Sequence, residues 1–148
     1  MIVGPKVETK LSRGVRYHVR QRPNSKSELI WHYEEVECQL IPTNMLLVRI
    51  MIGKIEDRGR LVKILQTTPI RQDQPDWNCV SWVKEALEKL KADPKALGTS
   101  VVDWEKVSGK AMKYCQRKKD QHRFDGKGDF DTSKTPTYNL MKRKEIAV

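Results

Sequence analysis

The chain has 148 residues, the length of one domain and enough to build a core without disulfide or metal staples. Its 29 Lys and Arg against 19 Asp and Glu give a formal charge of +10, so an anionic partner fits, while charge alone excludes little. No stretch of eighteen apolar residues and no basic-then-apolar leader occurs, and the three cysteines, Cys38, Cys79 and Cys115, are sparse and lack metal-site spacing. The expectation is therefore a soluble, intracellular, cytoplasmic protein in a reducing compartment, with no membrane span, no metal site and no implied cofactor.

Met1 to Val3 is apolar and stops at Gly4-Pro5, which reads as the end of a strand. In "GVRYHVR", Val15, Tyr17 and Val19 fall on one face and Arg16, His18 and Arg20 on the other, the period-2 pattern of a half-buried strand. "QRPNSKSE" is a turn, and "LIWHYEEVECQL", aromatic and β-branched without Gly or Pro, is a second long strand paired with the first. Met45 to Ile55, "MLLVRIMIGKI", is the most apolar run and predicts a strand buried on both faces at the centre of the sheet. Leu61, Ile64 and Leu65 then recur at helical spacing, and Pro69 closes that short helix.

From Cys79, the positions Val80, Trp82, Val83, Ala86, Leu87 and Leu90 define one broad helical face, capped by Asp76 or Asn78 and closed at Ala92-Asp93-Pro94. A further helix is expected from about Asp103, with Trp104, Val107, Ala111, Tyr114 and Cys115 along one side before the basic run "QRKKDQHR". The remainder is rich in Gly, Asp and Lys, with one extended stretch at Thr137 to Met141. These elements predict an α+β domain over residues 1–124, an antiparallel sheet of three to four strands packed against the Cys79 helix with a second helix flanking, and a polar basic C-terminal segment over 125–148, partly extended.

Chemistry concentrates in "DWNCVSWV", residues 76–83. Cys79 opens a helix, where unpaired backbone N–H groups and the helix dipole favour an anion. It also lies on the apolar face, and a cysteine there is more often a small buried hydrophobe than a nucleophile. A nucleophile needs a base, and three histidines exist. His18, on the polar row of its strand, is the best placed, against the plain alternative of an exposed residue between Arg16 and Arg20. His32 sits within "WHYEE" and His122 in the basic run; Cys38 and Cys115 read as core.

Together these pieces resemble the permuted papain-like fold of the NlpC-type superfamily, in its lecithin:retinol acyltransferase-like branch. There a His-bearing strand, often "HWALYVG", precedes a second His strand and a helix opening with "NC" and an aromatic. Ile2-Val3-Gly4 looks like the end of the first strand, "GVRYHV" like the second, and Asn78 to Val83 like the helix start. Through "RYHV", "WNCxSWV", "VVDW" and "PTYxL" nearly the whole chain also resembles a group of small fungal proteins of unassigned function.

The resemblance implies Cys79 as thiolate nucleophile in a hydrolase or acyltransferase, His18 as a supporting group, and Trp77, Asn78 and Trp82 around an acyl or peptide substrate. The family's base would open the first strand ahead of Val3-Gly4, and the chain begins at Met1. Three expectations follow, in this order: a shortened form whose full length supplies that His, a non-catalytic relative, or His18 or His32 in the base role. Turnover is expected to be weak or absent in the chain as written, because acid–base help is typically worth ~10²- to 10⁴-fold. A first strand shortened in this way would leave an exposed edge, through which a homodimer could form.

Two other classes compete. One is a binding or regulatory module on the same fold, with Cys79 kept for packing. The other is a basic nucleic-acid binder using "QRKKDQHR" and "MKRK", although no aromatic stacking surface or recognised motif accompanies these runs, which also suit a solvated helix end and tail. "FDGKGDFD", with Asp125, Asp129 and Asp131, lacks the spacing of a calcium loop.

Overall fold

The computed structural model describes residues 1–9 and 11–147. Its longest pairing is the hairpin read from alternation: β2 (Arg13–Pro23) and β3 (Leu29–Gln39) are antiparallel along their whole length, with Val19 opposite Tyr33 and His18 opposite Glu34. The connecting turn fixes that register. Asn24 N–H donates to the Glu28 carbonyl at 2.8 Å, Asn24 Oδ1 accepts from the Lys26 and Glu28 amides, and Ser27 takes a left-handed φ of 63°. β1 (Ile2–Val3) extends this sheet on the β2 side, Val3 opposite Val15. A Cβ at Gly14 would lie 2.6 Å from the Val3 carbonyl oxygen, so this approach of the two strands requires glycine.

Tyr17 and Val19 face inward from β2 and are buried with Trp82, Ala86, Leu87 and Leu90 of α2 (Cys79–Ala92) and Leu61 and Leu65 of α1. α1 (Arg58–Gln66) is capped by Asp57, whose carboxylate accepts from the Arg60 amide. α3 (Trp104–Asp120) is capped by Asp103. The three helices start at capping residues, and α1 and α2 stop close to Pro69 and Pro94, whereas α3 runs on through the basic stretch to Asp120.

The apolar run Met45–Ile55 is not one central strand. It divides into β4 (Arg49–Met51) and β5 (Gly53–Ile55), which belong to different sheets. Met45 is 90% exposed, and Leu47 is exposed as well. β4 pairs in parallel with β7 (Thr137–Asn139), while β5 turns to pair antiparallel with β6 (Leu97–Ser100), a strand with too few apolar positions to stand out by pattern. The apolar residues are thus shared between two small sheets, Ile50 and Met51 lying in β4 and Ile55 in β5.

Among the described residues the protein is α+β, with three helices. In place of one sheet of three to four strands these residues form a three-stranded antiparallel sheet in the order β1-β2-β3, a three-stranded sheet in which β7 lies between β4 and the C-terminal strand Lys144–Ala147 (β8), and the β5-β6 pair. The C-terminal segment is extended at Thr137 as expected, and it continues into β8 (Lys144–Ala147). Thr135 Oγ1, buried, donates to the Leu40 carbonyl at 3.0 Å, and buried Arg123 holds the Asp131 and Lys134 carbonyls at 2.8 Å each. The basic run is not wholly solvated either: Lys118 is 1% exposed and ion-paired with Glu145 of β8. No helix among the described residues is long and apolar enough to cross a membrane.

Candidate functional site

The approach to α2 is anchored from both sides. Trp77 is buried with its ring edge-on to Trp31 at 5.6 Å and 88°, and its Nε1–H donates to Glu85 at 3.2 Å. Upstream, the Gln72 side chain imitates a neighbouring strand: its Oε1 accepts from Trp31 N–H at 2.8 Å and its Nε2 donates to Trp31 C=O at 2.7 Å. Asn78 then caps the helix, Oδ1 accepting from the Val80 and Ser81 amides at 2.8 and 3.3 Å while Ser81 Oγ accepts from Asn78 N–H at 3.2 Å. This reciprocal capping box holds the first turn, and with it Cys79, in one conformation.

Within that turn the apolar face departs from its periodic reading. Trp82 is completely buried, its ring 5.9 Å from that of Tyr33, but Cys79 is exposed and Val80 is 53% exposed. The expectation of a thiol buried between helix and sheet is overturned: Cys79 and Val80, in the first turn of α2, are exposed, and full burial begins at Trp82. Cys38 and Cys115 are half-buried.

Cys79 opens onto a cleft of about 320 Å³ lined by His18, Val19, Cys79, Val80, Trp82, Val83 and Trp104. β2 contributes His18 and Val19, α2 the next four, and Trp104 opens α3. Of the residues singled out in the sequence, Cys79, His18 and Trp82 therefore share one site. Trp77 is turned to the core and Asn78 is spent on the cap, so both act on the site by positioning the helix. His32 lines a different depression with Arg22, Tyr33, Glu34, Glu35 and Val36, and His122 pairs with Asp125 at 2.7 Å in an exposed loop. No group of three or more His, Cys, Asp or Glu that could hold a metal ion occurs among the described residues.

Burial, and then the Arg16 guanidinium, push the His18 imidazole below its ordinary pKa; Glu34 opposes them. His18 Nε2 is buried and lies 3.4 Å from Glu34 Oε2 without a formed hydrogen bond. Burial pushes Glu34 up, but its contact with Arg22, with the nearby charges of Arg20 and His18, holds it below the usual carboxylate range. Glu34 went unremarked in the sequence, and Trp104 was read only as part of a helix face. The turn chemistry of "PNSKSE" could have found Glu34, because the hairpin register alone sets it opposite His18; nothing local marks Trp104.

The backbone adds one further group. Among the described residues the Cys79 N–H has no partner of its own, whereas the amides of Asn78, Val80, Ser81 and Trp82 are all bonded. An unpaired donor beside an exposed thiol at a helix start is suited to a developing oxyanion.

The chain belongs to a family of unknown function, DUF6914, whose profile matches residues 1–147. No curated protein and no solved structure matches it.

Proposed function

We propose that this member of DUF6914 is a thiol hydrolase or acyltransferase of permuted papain-like type, with Cys79 as nucleophile and His18 as general base. One observation carries the reading: an exposed cysteine at a capped helix start lines the same cleft as His18, whose pKa burial lowers.

In this scheme His18 takes the thiol proton and the sulfur attacks a substrate carbonyl carbon. The negative charge that gathers on the carbonyl oxygen meets the Cys79 N–H and the N-terminus of α2. Collapse breaks the bond to the leaving group, which departs with the proton from His18, and leaves a thioester on Cys79. Water or an acceptor nucleophile, deprotonated by His18, then attacks the thioester and regenerates the thiol. Val19, Val80, Val83, Trp82 and Trp104 supply an apolar wall for the acyl side of the substrate.

The test is to incubate the chain with activated acyl esters, quench in acid and map adducts by mass spectrometry. A thioester at Cys79, absent in Cys79→Ala and reduced in His18→Gln, is the expected result. The acid limb of the acylation rate should fall below the ordinary histidine value of 6.5, in line with the depressed His18. Acylation spread equally over Cys38, Cys79 and Cys115 would sink the proposal.

A further inference from the structure

We infer that Glu34 is the positioning residue for His18, with Arg22 as the clamp that holds Glu34 in place, so that a carboxylate–imidazole–thiol line runs from β3 through β2 to α2. The inference rests on the Cys79–His18 reading and adds to it the group that fixes the imidazole and receives its positive charge.

Three observations meet at this point. First, the hairpin sets Glu34 directly across from His18, and directly opposed residues of an antiparallel pair place their side chains on the same face. Second, His18 Nε2 is buried and has no hydrogen-bond partner, and Glu34 Oε2 at 3.4 Å is the carboxylate oxygen beside it. A buried ring nitrogen without a protein partner among the described residues is costly, and a small rotation of either side chain closes this gap. Contacts of this kind are often long in the resting state and tighten when charge develops. Third, Glu34 is not free to swing away: its other oxygen, Oε1, contacts Arg22 Nε, and its side chain is only 13% exposed.

In the proposed line each ring nitrogen has its own part. With a carboxylate at Nε2, the neutral imidazole carries its proton there and keeps its lone pair on Nδ1, the atom left to take a proton from the thiol. When it does, the ring becomes an imidazolium beside an ionised carboxylate, which stabilises that charge without itself taking the proton. The charged groups around His18 are Arg16 and the Met1 amine, which disfavour imidazolium, and Glu34, which favours it; Arg20 and Arg22 act on Glu34, and Cys79 faces the ring's cleft. Glu34 is thus the carboxylate that offsets the Arg16 guanidinium at the moment of proton transfer.

The experiment follows the rate of Cys79 alkylation by iodoacetamide across pH, resolved by peptide mass spectrometry, together with the NMR titration of His18 in the same full-length variants. Glu34→Gln keeps the shape and removes the charge. It should move the His18 midpoint to lower pH and slow Cys79 alkylation at neutral pH about fivefold or more, the lower end of what a contact to a charged group is worth when partly solvated. Glu34→Asp should retain most of both effects, and the dispersed NMR spectrum reports that each variant is folded. If Glu34→Gln leaves the His18 midpoint and the rate unchanged while His18→Gln slows the reaction, Glu34 is no positioning residue and the Cys79–His18 pair stands. If His18→Gln changes nothing, the pair itself fails and the role of Glu34 goes with it.

Discussion

Replacing Glu145 with Gln should destabilise the whole domain, although the residue lies only three positions before Val148. Glu145 is the hub between α3 and β8: it pairs with Lys118, accepts from Tyr114 Oη at 2.6 Å and from Arg117 at 3.0 Å. Lys118 is 1% exposed, so removing the carboxylate leaves a buried ammonium without compensation. Breaking such a pair from one side costs about 3–5 kcal/mol, and because Glu145 is 24% exposed the lower figure applies, about 3 kcal/mol. For a chain of this size that is a fall in Tm of roughly 6–12 °C. The assay is thermal and urea unfolding of wild type, Glu145→Gln, and the pair Lys118→Met with Glu145→Gln, in which the stranded charge is gone and much of the loss should return. The effect also has a pH signature. Burial pushes Glu145 up, but Lys118, Tyr114 and Arg117 together hold it below its ordinary value. A depressed carboxylate contributes stability that is complete above its unfolded pKa of about 4.3 and is lost as pH falls through the lower folded value. The gap between wild type and Glu145→Gln should therefore be full at pH 6 and close progressively below pH 4. A loss no larger than that of the exposed control Glu88→Gln would refute the view that β8 is an integral part of the fold.

Asn78→Ala removes the acceptor for two amides of the α2 first turn and should cost about 1 kcal/mol in urea unfolding, with Asn78→Asp near neutral. The same substitution loosens the turn carrying Cys79, so acyl transfer should fall in Asn78→Ala even under conditions where it is fully folded; unchanged acylation would show that the capping box does not position the thiol. Gly14→Ala places a methyl 2.6 Å from the Val3 carbonyl oxygen and should cost about 1–3 kcal/mol by separating β1 from β2, read as faster hydrogen exchange at Val15 and Tyr17; protection equal to wild type would mean that the strands shift without penalty.

Local signals set the elements that can be recognised from a few adjacent residues. The alternation of Val15, Tyr17 and Val19 gave β2, the stretch from Leu29 gave β3, Asn78 and Pro94 bracketed α2, and Asp103 opened α3. Each depends on backbone preferences and on a period of 2 or 3.6 expressed within one segment, which the sequence carries in full. By itself, then, the sequence determined the hairpin, the three helices and a cysteine at a helix start.

What the sequence left open were the partnerships between distant segments. Met45–Ile55 is apolar apart from Arg49, Gly53 and Lys54, and no period in it tells where one strand ends and another begins; pairing with Thr137–Asn139 on one side and Leu97–Ser100 on the other divides it. Lys118 and Glu145 each look like surface charges, and only the docking of β8 on α3 buries the lysine beside its counter-charge. Cys79 lies on the apolar arc of its helix, yet whether that arc is covered at the first turn depends on how far the sheet extends beneath it, a matter of tertiary packing. The meeting of Cys79 with His18, and of His18 with Glu34, is decided in the same way. Burial and electrostatics act through space, and these residues come within range of one another only after the chain has closed contacts tens of residues apart.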